Sequence, residues 1–109
     1  MKWIHRTEQQ RRNDVLRLLK RYPDKIPVYV EGENISQNKF LVPYDITVSQ
    51  FLYMLHEKVL LTPNESIFLF WGKRREIMAS NMTVREIYDR AKDIDDMLYV
   101  IYSKENVFG

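Results

Sequence analysis

The chain predicts an α+β fold, one β-sheet with a helix laid across it and another helix ahead of it. Three observations carry this reading. Three Thr-led tetrapeptides of helix-start type lie at wide intervals: TEQQ (7–10), TVSQ (47–50) and TVRE (83–86). Two apolar runs, SIFLFW (66–71) and MLYVIYS (97–103), suit strands covered on both faces. Between the first two helix starts, two short alternating segments flank turn-type residues, as in an antiparallel hairpin. At 109 residues the chain reads as one domain with room for a real core.

The elements follow in order. Thr7, Thr47 and Thr83 each stand three residues before Gln10, Gln50 and Glu86. In such capping boxes two otherwise unpaired backbone donors are satisfied reciprocally. Ile46 with Phe51, and Met82 with Ile87, add hydrophobic staples. Helices are predicted at about 8–20, 48–60 and 84–92. The first carries Val15, Leu18 and Leu19 at helical spacing and ends before Pro23, which disfavours helix at Tyr22. The second carries Val48, Phe51, Leu52, Leu55 and Val59 as one apolar stripe. IPVYVE (26–31) alternates, NKFLV (38–42) is closed by Pro43, and GENISQ between them has turn chemistry. Further strands are predicted at 66–71, near 74–78 after Gly72, and at 97–103. Helix, then β-β-α-β-β-α-β, is the order of a ubiquitin-like β-grasp with an N-terminal helical extension. The predicted units are the extension at 1–25, the ubiquitin-like body at 26–103 and a flexible tail at 104–109.

Composition narrows the function. There is no cysteine, so disulfides, thiol nucleophiles and thiolate metal ligands are excluded. No apolar run approaches the roughly 18 residues of a membrane span, and MKWIHRTEQQ lacks a signal-peptide stretch. His5 and His56 form no metal-binding pattern, and no Gly-rich phosphate loop is present. No cofactor, metal or catalytic residue is therefore expected, and the chain is read as a non-enzyme. Residues 1–25 hold eight lysines and arginines against three acidic residues, while the remainder holds nine against twelve. A basic front on a mildly acidic body suits either an anionic partner or a solvated helix face.

RYPDKIPVYVE, KFLVPYDITVSQFLYMLHEKVLL, SIFLFW, TVREIY and LYVIYSKENVFG resemble one family over nearly the whole chain. It is the autophagy ubiquitin-like modifiers, the group of GABARAP and the microtubule-associated light chains. The resemblance implies activation of Gly109 by E1-like and E2-like conjugation enzymes and its amide linkage to phosphatidylethanolamine on the autophagosome membrane. Glycine is sterically unhindered as an acyl donor, and the two chains of a phospholipid give stable anchoring. It also implies recruitment of cargo receptors through aromatic-x-x-aliphatic motifs that add a strand at the edge of the second strand. By matching positions, the aromatic pocket is expected from Asp14, Leu18, Pro27, Tyr29, Lys39, Leu41 and Met97. The aliphatic pocket is expected from Phe40, Val42, Pro43, Ile46, Phe51, Met54 and Lys58. Lys25, like Lys39 and Lys58, would receive acidic flanks, and Arg11 with Arg12 would form a basic patch for microtubule or membrane contact. Leu18 and Phe51 also read as core, whereas Phe40, Val42 and Pro43 read as exposed edge-strand contacts.

The expected protein is a cytoplasmic monomer, on the autophagosome membrane when lipidated, with no nucleic-acid partner. Two alternatives remain: the modifier of this family joined to a protein lysine, and a peptide- or microtubule-binding adaptor that is never conjugated. Departures from the family pattern are the short connector 32–37, Tyr29 and Met97 in the aromatic pocket, the charged GKRRE turn (72–76), and a missing Pro-Phe pair near HRTEQQ. Trp3 and Ile4 are read as structural, capping the sheet or an edge pocket.

Overall fold

The computed structural model describes residues 2–72 and 74–106. A 3-10 turn at Trp3–His5 leads into α1 (Glu8–Arg21), β1 (Lys25–Glu31), β2 (Lys39–Pro43), α2 (Val48–His56), β3 (Glu65–Trp71), β4 (Glu76–Ile77), α3 (Val84–Ala91) and β5 (Leu98–Asn106). The predicted α+β order is the observed one.

All three capping boxes are formed. The Gln10 backbone N–H donates to Thr7 Oγ1 at 3.1 Å and the Thr7 N–H donates to Gln10 Oε1 at 3.0 Å. Thr47 and Gln50 repeat those distances, and Thr83 with Glu86 closes the third box. At its C-terminus α1 stops at Arg21, and the Tyr22 N–H still reaches the Leu18 carbonyl at 2.7 Å before Pro23. α2 ends four residues earlier than its apolar stripe suggested. There the Lys58 N–H bonds the Leu55 carbonyl at 2.8 Å, a tightened i to i+3 turn. The chain then leaves the helix so that Val59 can bridge to Ile35.

The five strands are ordered β2-β1-β5-β3-β4. β1 and β5 run parallel at the centre, and the other pairs are antiparallel. β2 and β4 are therefore the edges. β5 corrects the expected tail. Asn106 lies opposite Glu65 and Lys104 opposite Ile67, so residues 104–106 belong to the sheet. β3 starts early enough to give them a partner, and only 107–109 of the predicted tail lie outside the described residues.

Strand parity sorts the side chains into two cores. Ile26, Val28 and Val30 of β1, Phe40 and Val42 of β2, Ile67 and Leu69 of β3 and Leu98, Val100 and Tyr102 of β5 meet α2 and α3. From the helices come Val48, Phe51 and Leu55, then Val84 and Ile87, all fully buried. On the opposite face Trp3, Val15 and Met97 form a smaller core with Leu19, Tyr29 and Tyr99 packed against it. The sheet thus lies between α1 and the α2–α3 pair. β3 departs from the two-sided burial predicted for it: Ser66, Phe68 and Phe70 are only half-buried, because α1 packs chiefly over β1.

Two glycines have distinct reasons. Gly72 takes φ +77° in the turn after β3, a left-handed conformation that favours glycine. At Gly32 the reason is space: a Cβ there would lie 2.1 Å from the Tyr102 ring. In the GKRRE turn Arg74 and Arg75 are exposed, and Lys73 is outside the described residues.

Candidate peptide-binding groove

α1 presents Asp14, Arg17, Leu18 and Arg21 at i, i+3, i+4 and i+7, one stripe of a helix. β1 and β2 bring Pro27 opposite Leu41, and Met97 stands just before β5. These meet around a cavity of about 620 Å³ lined by Asp14, Leu18, Pro27, Lys39, Leu41 and Met97, together with Trp3, Arg17, Arg21 and Phe40. Six of the seven residues expected in the aromatic pocket are therefore gathered at one place. Tyr29 is the exception. Its ring packs 5.8 Å from that of Tyr99, and it lines a neighbouring cavity instead.

Trp3 forms part of the wall. It is buried at 6% exposure, and its indole N–H donates to the Tyr99 hydroxyl at 3.0 Å. The Tyr99 hydroxyl in turn donates to Asp95 Oδ2. Asp95 is fully buried and also accepts from Arg11 Nε at 3.0 Å and from the Met97 backbone N–H at 2.9 Å. A buried carboxylate needs such partners, since leaving it unpaired is costly. Burial, and then Asp95, push the Tyr99 hydroxyl well above the usual tyrosine range. The bond to Asp95 raises the Arg11 guanidinium above its ordinary value. This network joins the N-terminal turn, α1 and the loop before β5. It also corrects the reading of Arg11 as half of a surface patch: Arg11 is held by Asp95 and the Arg6 carbonyl, whereas Arg12 is exposed.

The cavity is cationic at its rim. Asp14 is its one acidic lining residue, and Arg6 and Arg17 both bond it. Partial burial pushes the Asp14 carboxyl up, but the two guanidinium bonds outweigh that and hold it below its usual value. Arg21 and Lys39 remain to face an incoming negative charge.

A second cavity of about 510 Å³ lies at the far end of β2, lined by Pro43, Asp45, Ile46, Gln50, Tyr53 and Met54. Pro43, Ile46 and Met54 were expected there. Val42 and Phe51 are corrected: both are fully buried in the main core. Phe40, 7% exposed, is corrected with them, its ring standing edge-on to Phe51 at 5.9 Å. The cause is parity, because Lys39, Leu41 and Pro43 take one face of β2 and leave Phe40 and Val42 to the other. Lys58 is half-buried and does not line the second cavity; its carbonyl accepts from the Ser36 N–H. Lys25 opens β1 opposite Pro43. Gly109 lies outside the described residues.

Arg17 and Arg21, missing from the expected site, were visible as the helical stripe through Asp14 and Leu18. Gln50 and Tyr53 similarly share a stripe with Met54. Trp3, read from the sequence as capping the sheet or an edge pocket, had no local signal tying it to this groove, 36 residues away at Lys39.

The family model for "Autophagy protein Atg8 ubiquitin like" matches residues 10–109. The chain belongs to the Atg8 family. It is 38% identical over 107 residues to Autophagy-related protein 8 of Mycosarcoma maydis, covering 93% of this chain and 89% of that one. It is 39% identical over 107 residues to Autophagy-related protein 8c of Arabidopsis thaliana, at 93% and 88% coverage. Among solved structures it is similar to Trypanosoma brucei ATG8, with TM-score 0.84 and 32% identity over 98% of this chain and 96% of that one. It is also similar to Plasmodium falciparum Atg8 in complex with a P. falciparum Atg3 peptide, with TM-score 0.79 and 26% identity over 99% and 100% of the two chains. The ubiquitin-like Atg8 fold and a place among autophagy proteins follow from these matches. Among the described residues no helix is long and apolar enough to cross a membrane.

Proposed function

We propose that this Atg8-family chain is a ubiquitin-like modifier that captures aromatic-x-x-aliphatic peptides at the edge of β2 and is joined through Gly109 to phosphatidylethanolamine. The observation that carries the peptide reading is the free edge strand flanked by two cavities, one beside Lys39 and Leu41 and one beside Pro43 and Ile46. A peptide strand added there gains backbone hydrogen bonds along β2 and side-chain selectivity from the cavities. The aromatic side chain enters the first cavity, against Leu18, Pro27, Leu41 and Met97. The aliphatic one enters the second, against Pro43, Ile46 and Met54. Acidic residues flanking the motif meet Arg21, Lys25 and Lys39.

The conjugation reading is supported by family membership over a stretch that includes Gly109. The Atg3 peptide held by the P. falciparum relative supports an Atg3-type conjugation enzyme as one ligand of the groove. The chain is a substrate in that chemistry: the activated Gly109 carbonyl acylates the ethanolamine amine, and the activating thiol leaves. Its work is done in the cytoplasm and on the autophagosome membrane, with cargo receptors as the other ligands. Arg12 remains the candidate contact for an anionic surface.

Two experiments test the halves separately. Leu41→Ala is expected to weaken an aromatic-x-x-aliphatic peptide roughly tenfold, the usual scale for one buried interface anchor, with the unfolding midpoint little changed. Unchanged affinity in a calorimetric titration overturns the peptide site. For conjugation, intact-mass analysis of the membrane fraction is expected to find the chain carrying one phosphatidylethanolamine, and to find none with Gly109→Ala. A protein adduct, or no adduct, overturns the lipid reading.

A further inference from the structure

A cavity of about 460 Å³ lies apart from the groove, just past the end of β1. It is lined by Gly32, Glu33, Glu65, Tyr102, Ser103 and Lys104, none of which lines the two cavities beside β2. Three segments meet there. Gly32 and Glu33 open the connector after β1, Glu65 begins β3, and residues 102–104 belong to β5. The connector can cross the Tyr102 ring closely because Gly32 has no Cβ to strike it.

The side chains around this cavity call for one kind of ligand. Tyr102 is 4% exposed, and its hydroxyl has no hydrogen-bond partner among the described residues. A buried hydroxyl without a partner is costly. Burial, and then the Glu33 carboxylate, push that hydroxyl above its usual range. Glu33 is exposed and joins no ion pair among the described residues. Glu65 accepts from the Thr62 backbone N–H at 2.8 Å, and that bond holds its carboxyl below its ordinary value. Lys104 is the one cation of the lining, and its ammonium donates to the Leu60 carbonyl at 3.4 Å. The cavity therefore sets two carboxylates against one cation, around a hydroxyl that still has acceptor sites to offer.

We propose that this cavity receives an arginine side chain from a partner protein. A guanidinium presents five N–H donors in one plane, enough to reach both carboxylates and the Tyr102 hydroxyl oxygen together. An anionic ligand would meet the same two carboxylates as repulsion. The site stands on β5 and the connector, away from β2, so it does not depend on the peptide-binding reading.

The test is an NMR titration of the isotopically labelled full chain with N-acetyl-argininamide as the probe and N-acetyl-glutaminamide as the uncharged control. Shifts are expected at Gly32, Glu33, Glu65 and residues 102–104 with the arginine probe and none with the control. Glu33→Gln is expected to weaken the probe about threefold, and Lys104→Gln to tighten it about twofold by removing a competing cation, both on the scale of an exposed ion pair. Tyr102→Phe separates the site from the fold. It is expected to leave the thermal midpoint unchanged or raised, since it removes an unpartnered polar group, yet to weaken the probe about threefold, the worth of one hydrogen bond. Absence of shifts at these residues, shifts gathered around Asp14 instead, or an affinity that either Glu33→Gln or Tyr102→Phe leaves unchanged overturns the site. A midpoint that falls in Tyr102→Phe while the probe binds as before assigns that hydroxyl to an internal water only, and overturns it as well.

Discussion

Asp95 and Gly32 show how single positions constrain this molecule. Arg11 is the only guanidinium on the buried Asp95 carboxylate among the described residues. Arg11→Ala leaves that charge without its cation, and a loss of about 3 kcal/mol is expected, at the lower end for breaking a buried pair because Arg11 is partly exposed. A chemical-denaturation midpoint measures it, with Arg12→Ala as the exposed neighbour that moves little. Gly32→Ala drives a methyl group into the Tyr102 ring, which is itself 4% exposed and hemmed in by the main core. A cost of about 1–3 kcal/mol is expected from the overpacking. Neither requirement was legible beforehand. Gly32 looked like an ordinary turn glycine, and Arg11 like a surface cation, because both reasons lie some 70 to 84 residues away in sequence. Gly72 was legible, since its turn conformation is a local matter.

Among the elements, the helices were the most legible. Each start is a four-residue signal whose partners bond one another, so sequence proximity is enough. Their ends were less so: α2 stops at His56 because Val59 is drawn to Ile35, a partner no helical periodicity reveals. β2 repeats the lesson. KFLVP was readable as an edge strand, but which parity faces solvent depends on what packs behind it, and Phe40 and Val42 went inward. In α1 the Arg6–Asp14–Arg17 cluster should make the helix acid-sensitive. Asp14 titrates below its ordinary value, so its contribution is present above about pH 4 and is lost as pH falls through the lowered value. Helical ellipticity and midpoint in Asp14→Asn are expected to lose that acid dependence. The opposite sign holds for α3: burial pushes the Tyr88 hydroxyl to about 12, and its bond to the Asp96 carbonyl at 2.6 Å keeps it neutral. Stability from Tyr88 is present below about pH 10 and is lost as pH rises toward that raised value, a dependence Tyr88→Phe is expected to remove in an alkaline titration.

The molecule as a whole is a sheet with a different helical layer on each face, and the groove follows β2, an edge strand with a cavity on either side. That edge is bounded by α1 and the N-terminal turn on one side and by α2 on the other, which is why its two cavities draw on such distant segments. Resemblance located most of the first cavity because α1, β1 and β2 are held in fixed register. It missed Trp3 because the N-terminal turn docks through a relay of buried polar groups rather than through a sequence pattern. The most direct test of a groove along β2 is a titration of the isotopically labelled chain with an aromatic-x-x-aliphatic peptide, followed residue by residue by NMR. The largest shifts are expected at residues 39–43, at Leu18 and Met97 on one side and at Ile46 and Met54 on the other. Shifts confined to β4, to α3 or to the half-buried face of β3 would contradict it.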